Sequence, residues 1–145
     1  FELRDDLTLE LSFNYTYTES AFQESFLSGF SQWGLVSRGD ELPYLPEHLG
    51  RVQVGLITST WQIYASLKSQ SEMREEPGRG DIDLGLHAES YTVLDISATV
   101  QVNDNWELQL LLQNSLDEEA IVSHRPFGAR PNKPFAAIGR VKYSF

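Results

Sequence analysis

At 145 residues the chain has the length of one ordinary domain or of part of a larger one, and without cysteine it offers no disulfide framework, zinc knuckle or thiol nucleophile. Twenty-one acids against eleven bases leave a formal charge of −10, so there is no cationic surplus to displace the counterions of DNA or RNA, and nucleic acid is excluded as a partner. The opening FELRDD has neither a basic n-region nor an apolar h-region, so it is not read as a signal peptide; either export is irrelevant or the front is missing.

No stretch approaches the ~18 to 20 uninterrupted apolar residues of a membrane-spanning helix, a test that says nothing of β-barrels because their strands alternate. Alternation is what the chain displays. From Leu7, LTLELSFNYTYT sets Leu7, Leu9, Leu11, Phe13, Tyr15 and Tyr17 against Thr8, Glu10, Ser12, Asn14, Thr16 and Thr18, which predicts a strand. RVQVGL repeats the pattern with Val52, Val54 and Leu56 against Arg51, Gln53 and Gly55. WQIYASLKS does so with Trp61, Ile63, Ala65 and Leu67 against Gln62, Tyr64, Ser66 and Lys68. LDISATVQV sets Leu94, Ile96, Ala98, Val100 and Val102 against Asp95, Ser97, Thr99 and Gln101. WELQLLLQN follows with Leu108, Leu110 and Leu112 against Glu107, Gln109 and Gln113, Leu111 being the exception. The terminal GRVKYSF, with Val141, Tyr143 and Phe145 against Arg140 and Lys142, makes a sixth strand. No window holds a helical period.

Short and long connections alternate. ITSTW, VNDNW and LRDDL leave room only for turns, whereas Glu19 to Tyr44, Glu72 to Ser90 and Asp117 to Pro134 are long. Transmembrane barrels keep tight turns at one end and long loops at the other. The strand charges Glu10, Arg51, Lys68, Asp95, Glu107, Arg140 and Lys142 all fall in the polar phase. A barrel requires this, because its outer face meets hydrocarbon while its lumen is wet; a soluble sheet with one solvated face also produces it. Trp61 and Trp106 follow the tight turns and Phe145 reaches the same level. Tyr15, Tyr17, Tyr44 and Tyr91 lie near the long loops, so two aromatic girdles are expected about one strand-length apart.

These residues resemble the TonB-dependent receptors of Gram-negative outer membranes along the whole chain. The last third, from Tyr91 to Phe145, is similar to the family's closing strands: an aspartate-bearing descending strand, an Asn-Asp turn, an ascending strand and an aromatic terminal strand. Asn114-Ser115-Leu116-Asp117 stands where Asn-Leu-x-Asp is usual, Ala120 where tyrosine is common, and Phe135 where arginine follows the proline. LPYLPEHLGRVQVGL is similar to the family's Pro-x-x-Pro-x-His approach to a strand, with Pro43, Pro46, Glu47 and His48.

The expected fold is therefore all-β, an antiparallel up-and-down transmembrane β-barrel. Residues 1–145 would supply its C-terminal portion, the last six strands of a barrel of about 22, with the plug domain and earlier strands outside the chain. The resemblance implies an energy-coupled outer-membrane receptor importing a scarce solute, a ferric siderophore or ferric citrate-like complex. It also implies partnership with the inner-membrane TonB-type complex, the barrel-assembly machinery, and outer-membrane lipid and lipopolysaccharide. A passive porin or structural barrel, and a soluble β-barrel binding module, are the alternatives.

No catalytic constellation is present, since His48, His87 and His124 have no metalloprotease or triad spacing; no enzyme activity, cofactor or metal centre is expected. RGD at Arg79 to Asp81 is read as chance in a Gly-rich loop, and NYT at Asn14 lies inside a strand. Fourteen of the 21 acids lie in or beside the long loops, Glu72, Glu75, Glu76, Asp81 and Asp83 among them. They are read as a solvated surface or as ligands of the divalent cations that cross-link lipopolysaccharide. In the last long loop His124, Arg125 and Arg130, with Lys133, either clamp an anionic ligand or pair with neighbouring acids, on a frame stiffened by Pro126, Pro131 and Pro134. The resemblance further implies that Val141, Tyr143 and Phe145 form the terminal signal recognised by the assembly machinery, Gly139 lying one position from that signal's usual glycine.

Overall fold

A computed structural model describes residues 2–4, 6–82, 85, 87–125 and 127–145. Among them the regular elements are all strands. In chain order these are β1 (Glu2–Arg4), β2 (Leu7–Tyr17), β3 (Phe26–Leu27), β4 (Leu35–Val36), β5 (His48–Ile57), β6 (Trp61–Gln70), β7 (Met73–Arg74), β8 (His87–Ala88), β9 (Tyr91–Gln101), β10 (Trp106–Gln113), β11 (Ile121–Ser123), β12 (Arg130–Pro131) and β13 (Ala136–Tyr143).

One seven-stranded sheet runs β1-β2-β5-β6-β9-β10-β13, each strand antiparallel to the next, which is an up-and-down meander. The six expected strands are all there. The seventh is the short β1, which pairs with β2 across the LRDDL connection, where Asp5 lies outside the described residues. β2, β5, β6 and β9 are 10 or 11 residues long, matching the ~9 to 11 residues a tilted strand needs to cross a bilayer.

Register makes the alternation three-dimensional, because a period of two keeps each face uniform only if every strand is in phase with its neighbours. Leu9, Leu56, Ile63, Ala98, Leu110 and Gly139 face one another in one continuous row across six strands. Trp61, Val100, Leu108 and Val141 form another. On the opposite face the row is Thr8, Ile57, Gln62, Thr99, Gln109 and Arg140. Leu111, the out-of-phase leucine, faces Ile138 across β10 and β13, so the polar face carries a small apolar spot.

Among the described residues no second layer covers the apolar face. Phe13 is 71% exposed, Val141 62% and Leu11 57%, while the buried apolar residues among those described are Val36, Ala88 and Ala120, all in the long connections. A soluble sheet hides its apolar face to gain about 25 cal/mol per Å². Here that face stays open among the described residues, in keeping with the transmembrane fold.

The sheet's two ends differ as expected. At one end are the turns at 58–60 and 102–105; at the other the connections 18–47, 71–90 and 114–135 carry the hairpins β3-β4, β7-β8 and β11-β12. In the first long loop Phe22, Phe26, Phe30 and Trp33 meet edge to face at 5.5 to 6.0 Å between ring centroids.

At the turn end Trp106, Tyr143 and Phe145 form an aromatic chain, with centroids 4.7 and 5.0 Å apart. At the loop end Tyr15 and Tyr17 flank the His48 ring, and the Tyr15 hydroxyl is 2.8 Å from His48 Nδ1. Tyr91 departs from the expected girdle. Three residues from Leu94, it falls in the polar phase, facing Gln70 in register, with Lys68 Nζ 5.9 Å from its ring centroid.

Candidate functional site

The long loops form the most elaborate constellation, and backbone pairing fixes it first. Glu41 of the first loop bridges to Gly78 of the second, and the Tyr44 N–H donates to the Arg74 carbonyl at 3.0 Å. The second loop is tied to the third where the Glu89 N–H donates to the Ile121 carbonyl (2.8 Å) and the Ile121 N–H to the Glu89 carboxylate (2.6 Å).

Side chains complete the joints. Arg74 Nε reaches Glu41 at 2.8 Å and donates through Nη2 to the Gly80 carbonyl, and Arg79 pairs with Asp40 at 3.2 Å. The RGD stretch is thus built into the interface between the first and second loops through Arg79, while Gly80 receives Arg74 within the second loop. Between the second and third loops Glu75 is fully buried. Its Oε1 accepts from the His124 N–H at 2.6 Å and lies 3.3 Å from His124 Nδ1, while Arg125 Nε stands 3.9 Å from Oε2 and Arg125 also pairs with Glu76. A buried carboxylate calls for partners: His124 hydrogen-bonds Oε1, while Oε2 has the Arg125 guanidinium at 3.9 Å and accepts no hydrogen bond.

The structure therefore unites two of the three loop candidates. His124 and Arg125 converge on Glu75 and Glu76, the acid-pairing alternative of the sequence reading. Arg130 turns instead to the Ser123 hydroxyl and the Arg125 carbonyl, bracing the third loop internally. Pro126 and Asp83 lie outside the described residues. The histidines are dispersed: His48 sits at the rim with the tyrosines, His87 is 4.0 Å from Glu72, and His124 is at Glu75. With Glu72, Glu75 and Glu76 engaged in this way, no group of three or more histidine or acidic residues converges as a metal site among the described residues.

Asn114 holds the third loop to the sheet. Almost fully buried with φ +48°, it donates its N–H to Asp95 (2.9 Å). Its Nδ2 donates to the carbonyls of Glu118 and Lys133 (both 2.9 Å), and its Oδ1 accepts the Glu118 N–H (3.0 Å). Asp117, at φ +50°, accepts the Phe135 N–H at 3.2 Å. Asparagine and aspartate tolerate the left-handed region and carry short side chains that reach nearby backbone, which is why this corner is written Asn114-Ser115-Leu116-Asp117. Asp95, the acid in the middle of β9, is there to receive Asn114. Glu75, by contrast, has no local signature separating it from Glu76; only the docking of the third loop does so.

At the opposite end the terminal segment is anchored. Asn105 accepts the Ser144 N–H on its carbonyl (2.9 Å) and donates its side-chain amide to the Ser144 carbonyl (2.7 Å). Val141 and Tyr143 lie in the apolar phase, and Phe145 continues the row beyond the strand, packed on Tyr143.

The family model "TonB dependent receptor-like, beta-barrel" matches residues 1–115, most of the chain. The chain belongs to this receptor family. Two solved receptors share its fold: the siderophore receptor PiuA from Acinetobacter baumannii and the ferric-catecholate import receptor Fiu from K12 E. coli in its closed form. PiuA superposes with a TM-score of 0.70 at 20% identity, covering 98% of this chain and 20% of that one. For Fiu the TM-score is 0.68 at 20% identity, covering 94% of this chain and 19% of that one. The chain thus spans about a fifth of either receptor's length. A comparison with curated protein sequences finds no match.

Proposed function

We propose that residues 1–145 are the C-terminal portion of the barrel of an energy-coupled receptor in the Gram-negative outer membrane. It imports a scarce solute, a ferric siderophore or a ferric citrate-like complex. The observation that carries this reading is the family match over residues 1–115. The two solved receptors that share the fold are named for a siderophore and for ferric catecholate, which supports the substrate class.

In this reading the loops capture the ligand, and an inner-membrane TonB-type complex supplies energy through a part of the receptor outside this chain. Lipid and lipopolysaccharide surround the apolar face. Val141, Tyr143 and Phe145 serve as the strand recognised by the barrel-assembly machinery. His124 and Arg125 act on ligand through the joint they form with Glu75 and Glu76, and Arg130 by shaping the loop.

The test is growth and radiolabelled-iron uptake in an iron-starved strain lacking the full-length receptor, complemented with it and offered a panel of ferric chelates. Uptake of one chelate that depends both on the receptor and on the energy-transducing complex is expected. Uptake that persists without the transducer points to a passive porin and sinks the proposal.

A further inference from the structure

Two pairs of charged residues face each other in register on the polar face of the sheet. Near the turn end Glu107 of β10 opposes Lys142 of β13, acid against base. Near the loop end Arg51 of β5 opposes Lys68 of β6, base against base. Directly opposed residues hold their Cβ atoms about 4.5 to 5.5 Å apart, and like charges so placed repel. In a chain of net charge −10 such a pairing calls for a compensating group.

The described residues supply none. Arg51 Nε donates to the Ser66 hydroxyl at 2.9 Å and Nη2 to Gln53 Oε1 at 3.1 Å, both neutral acceptors, which leaves Nη1 open. Lys68 Nζ has the Tyr91 ring face for company. Neither cation forms an ion pair with a carboxylate among the described residues, although Arg74, Arg79 and Arg125 in the loops all do. Arg51 and Lys68 line a cleft of about 380 Å³ with Asn14, Thr16 and Leu49, and Asn14 faces Arg51 from β2.

We propose that Arg51 and Lys68 form an oxyanion seat on the inner wall of the barrel, with Asn14 at its edge. A planar guanidinium and a compact ammonium on neighbouring strands present charged donors to one carboxylate or phosphate group. Tyr91 and the neutral acceptors Ser66 and Gln53 keep the cations in place without cancelling their charge. The seat rests on the polar face being the lumen. Its occupant is an oxyanion, carried either by a solute passing through the receptor or by another segment of the full-length chain.

The test uses the full-length receptor in detergent, with Arg51→Gln and Lys68→Gln, each expected to keep the heat-modifiable gel migration of a folded barrel. Citrate and inorganic phosphate are titrated calorimetrically at low ionic strength, and thermal unfolding is recorded. For a solute seat, one of the two anions binds saturably and each variant weakens it about tenfold or more, the loss of a charge-assisted hydrogen bond. If a carboxylate of the receptor itself occupies the seat, neither anion titrates and both variants unfold at a lower temperature than the wild type, because that carboxylate is stranded. If no anion sits there, the substitutions relieve a like-charge repulsion: no titration is seen, and the unfolding temperature holds or rises. That last outcome, in variants that still migrate as barrels, overturns the seat and leaves the barrel reading intact.

Discussion

Gly55 owes its place to Tyr64. The two face each other across β5 and β6 on the polar face, and the Tyr64 ring lies flat over the glycine to reach Glu10 with its hydroxyl at 3.2 Å. A Cβ added at Gly55 would stand 2.5 Å from Tyr64 Cε1, closer than non-bonded Cβ contacts come. Gly55→Ala must therefore shift the ring that carries this hydrogen bond, and forced repacking of this kind costs about 1–3 kcal/mol. In the full-length receptor the urea midpoint of barrel unfolding is expected to fall accordingly. A midpoint equal to the wild type's would mean that the ring position is not a structural requirement. The alternation puts Gly55 in the polar phase, but the sequence does not reveal why a glycine stands there, because the reason is a ring on the next strand. Asn114 is the opposite case: its neighbours Ser115, Leu116 and Asp117 mark a corner in the sequence itself, since left-handed backbone and short polar side chains announce themselves locally.

Among the elements, β13 is an edge strand with an exposed apolar row. Val141 is more than half exposed, Tyr143 nearly so, and Phe145 lies fully outside any packing except Tyr143. The backbone around them is held by the Asn105–Ser144 pair, so deleting Phe145 removes an aromatic ring without unpairing β13 from β10. If the terminal row is read by the assembly machinery, deletion of Phe145 lowers the amount of full-length receptor in the outer membrane several-fold. The molecules that do assemble bind ligand as the wild type does. Normal membrane levels of the truncated receptor would refute this. Loop elements behave differently: β7, β8, β11 and β12 are each two or three residues long and owe their positions to interloop joints such as that of Glu75 with His124 and Arg125.

At the scale of the whole molecule the decisive feature is an apolar face that no described residue covers. Burying that face in hydrocarbon satisfies it, and the ladder of β1 to β13 satisfies the backbone groups that lipid cannot. The outer edges of β1 and β13 carry no partner among the described residues, and a barrel abolishes such edges by closing. The full-length receptor is accordingly expected in the outer-membrane fraction, needing detergent for extraction and migrating faster on a gel before boiling than after. A protein that stays in aqueous buffer without detergent contradicts the lipid-facing assignment.

The sequence by itself determined the strands, their faces and the alternation of turns with long loops. These follow from local properties: a period of two, turn residues between runs, and charge confined to one phase. It also pointed to the family, through a terminal third whose turn and corner residues stand in fixed order. Only the tertiary structure decided that His124 and Arg125 meet Glu75 and Glu76 and that Arg51 and Lys68 stand side by side. Each of those depends on register between strands or on docking between loops distant in sequence. Pairing of that kind is set by the fold as a whole, and no local pattern in the chain encodes it.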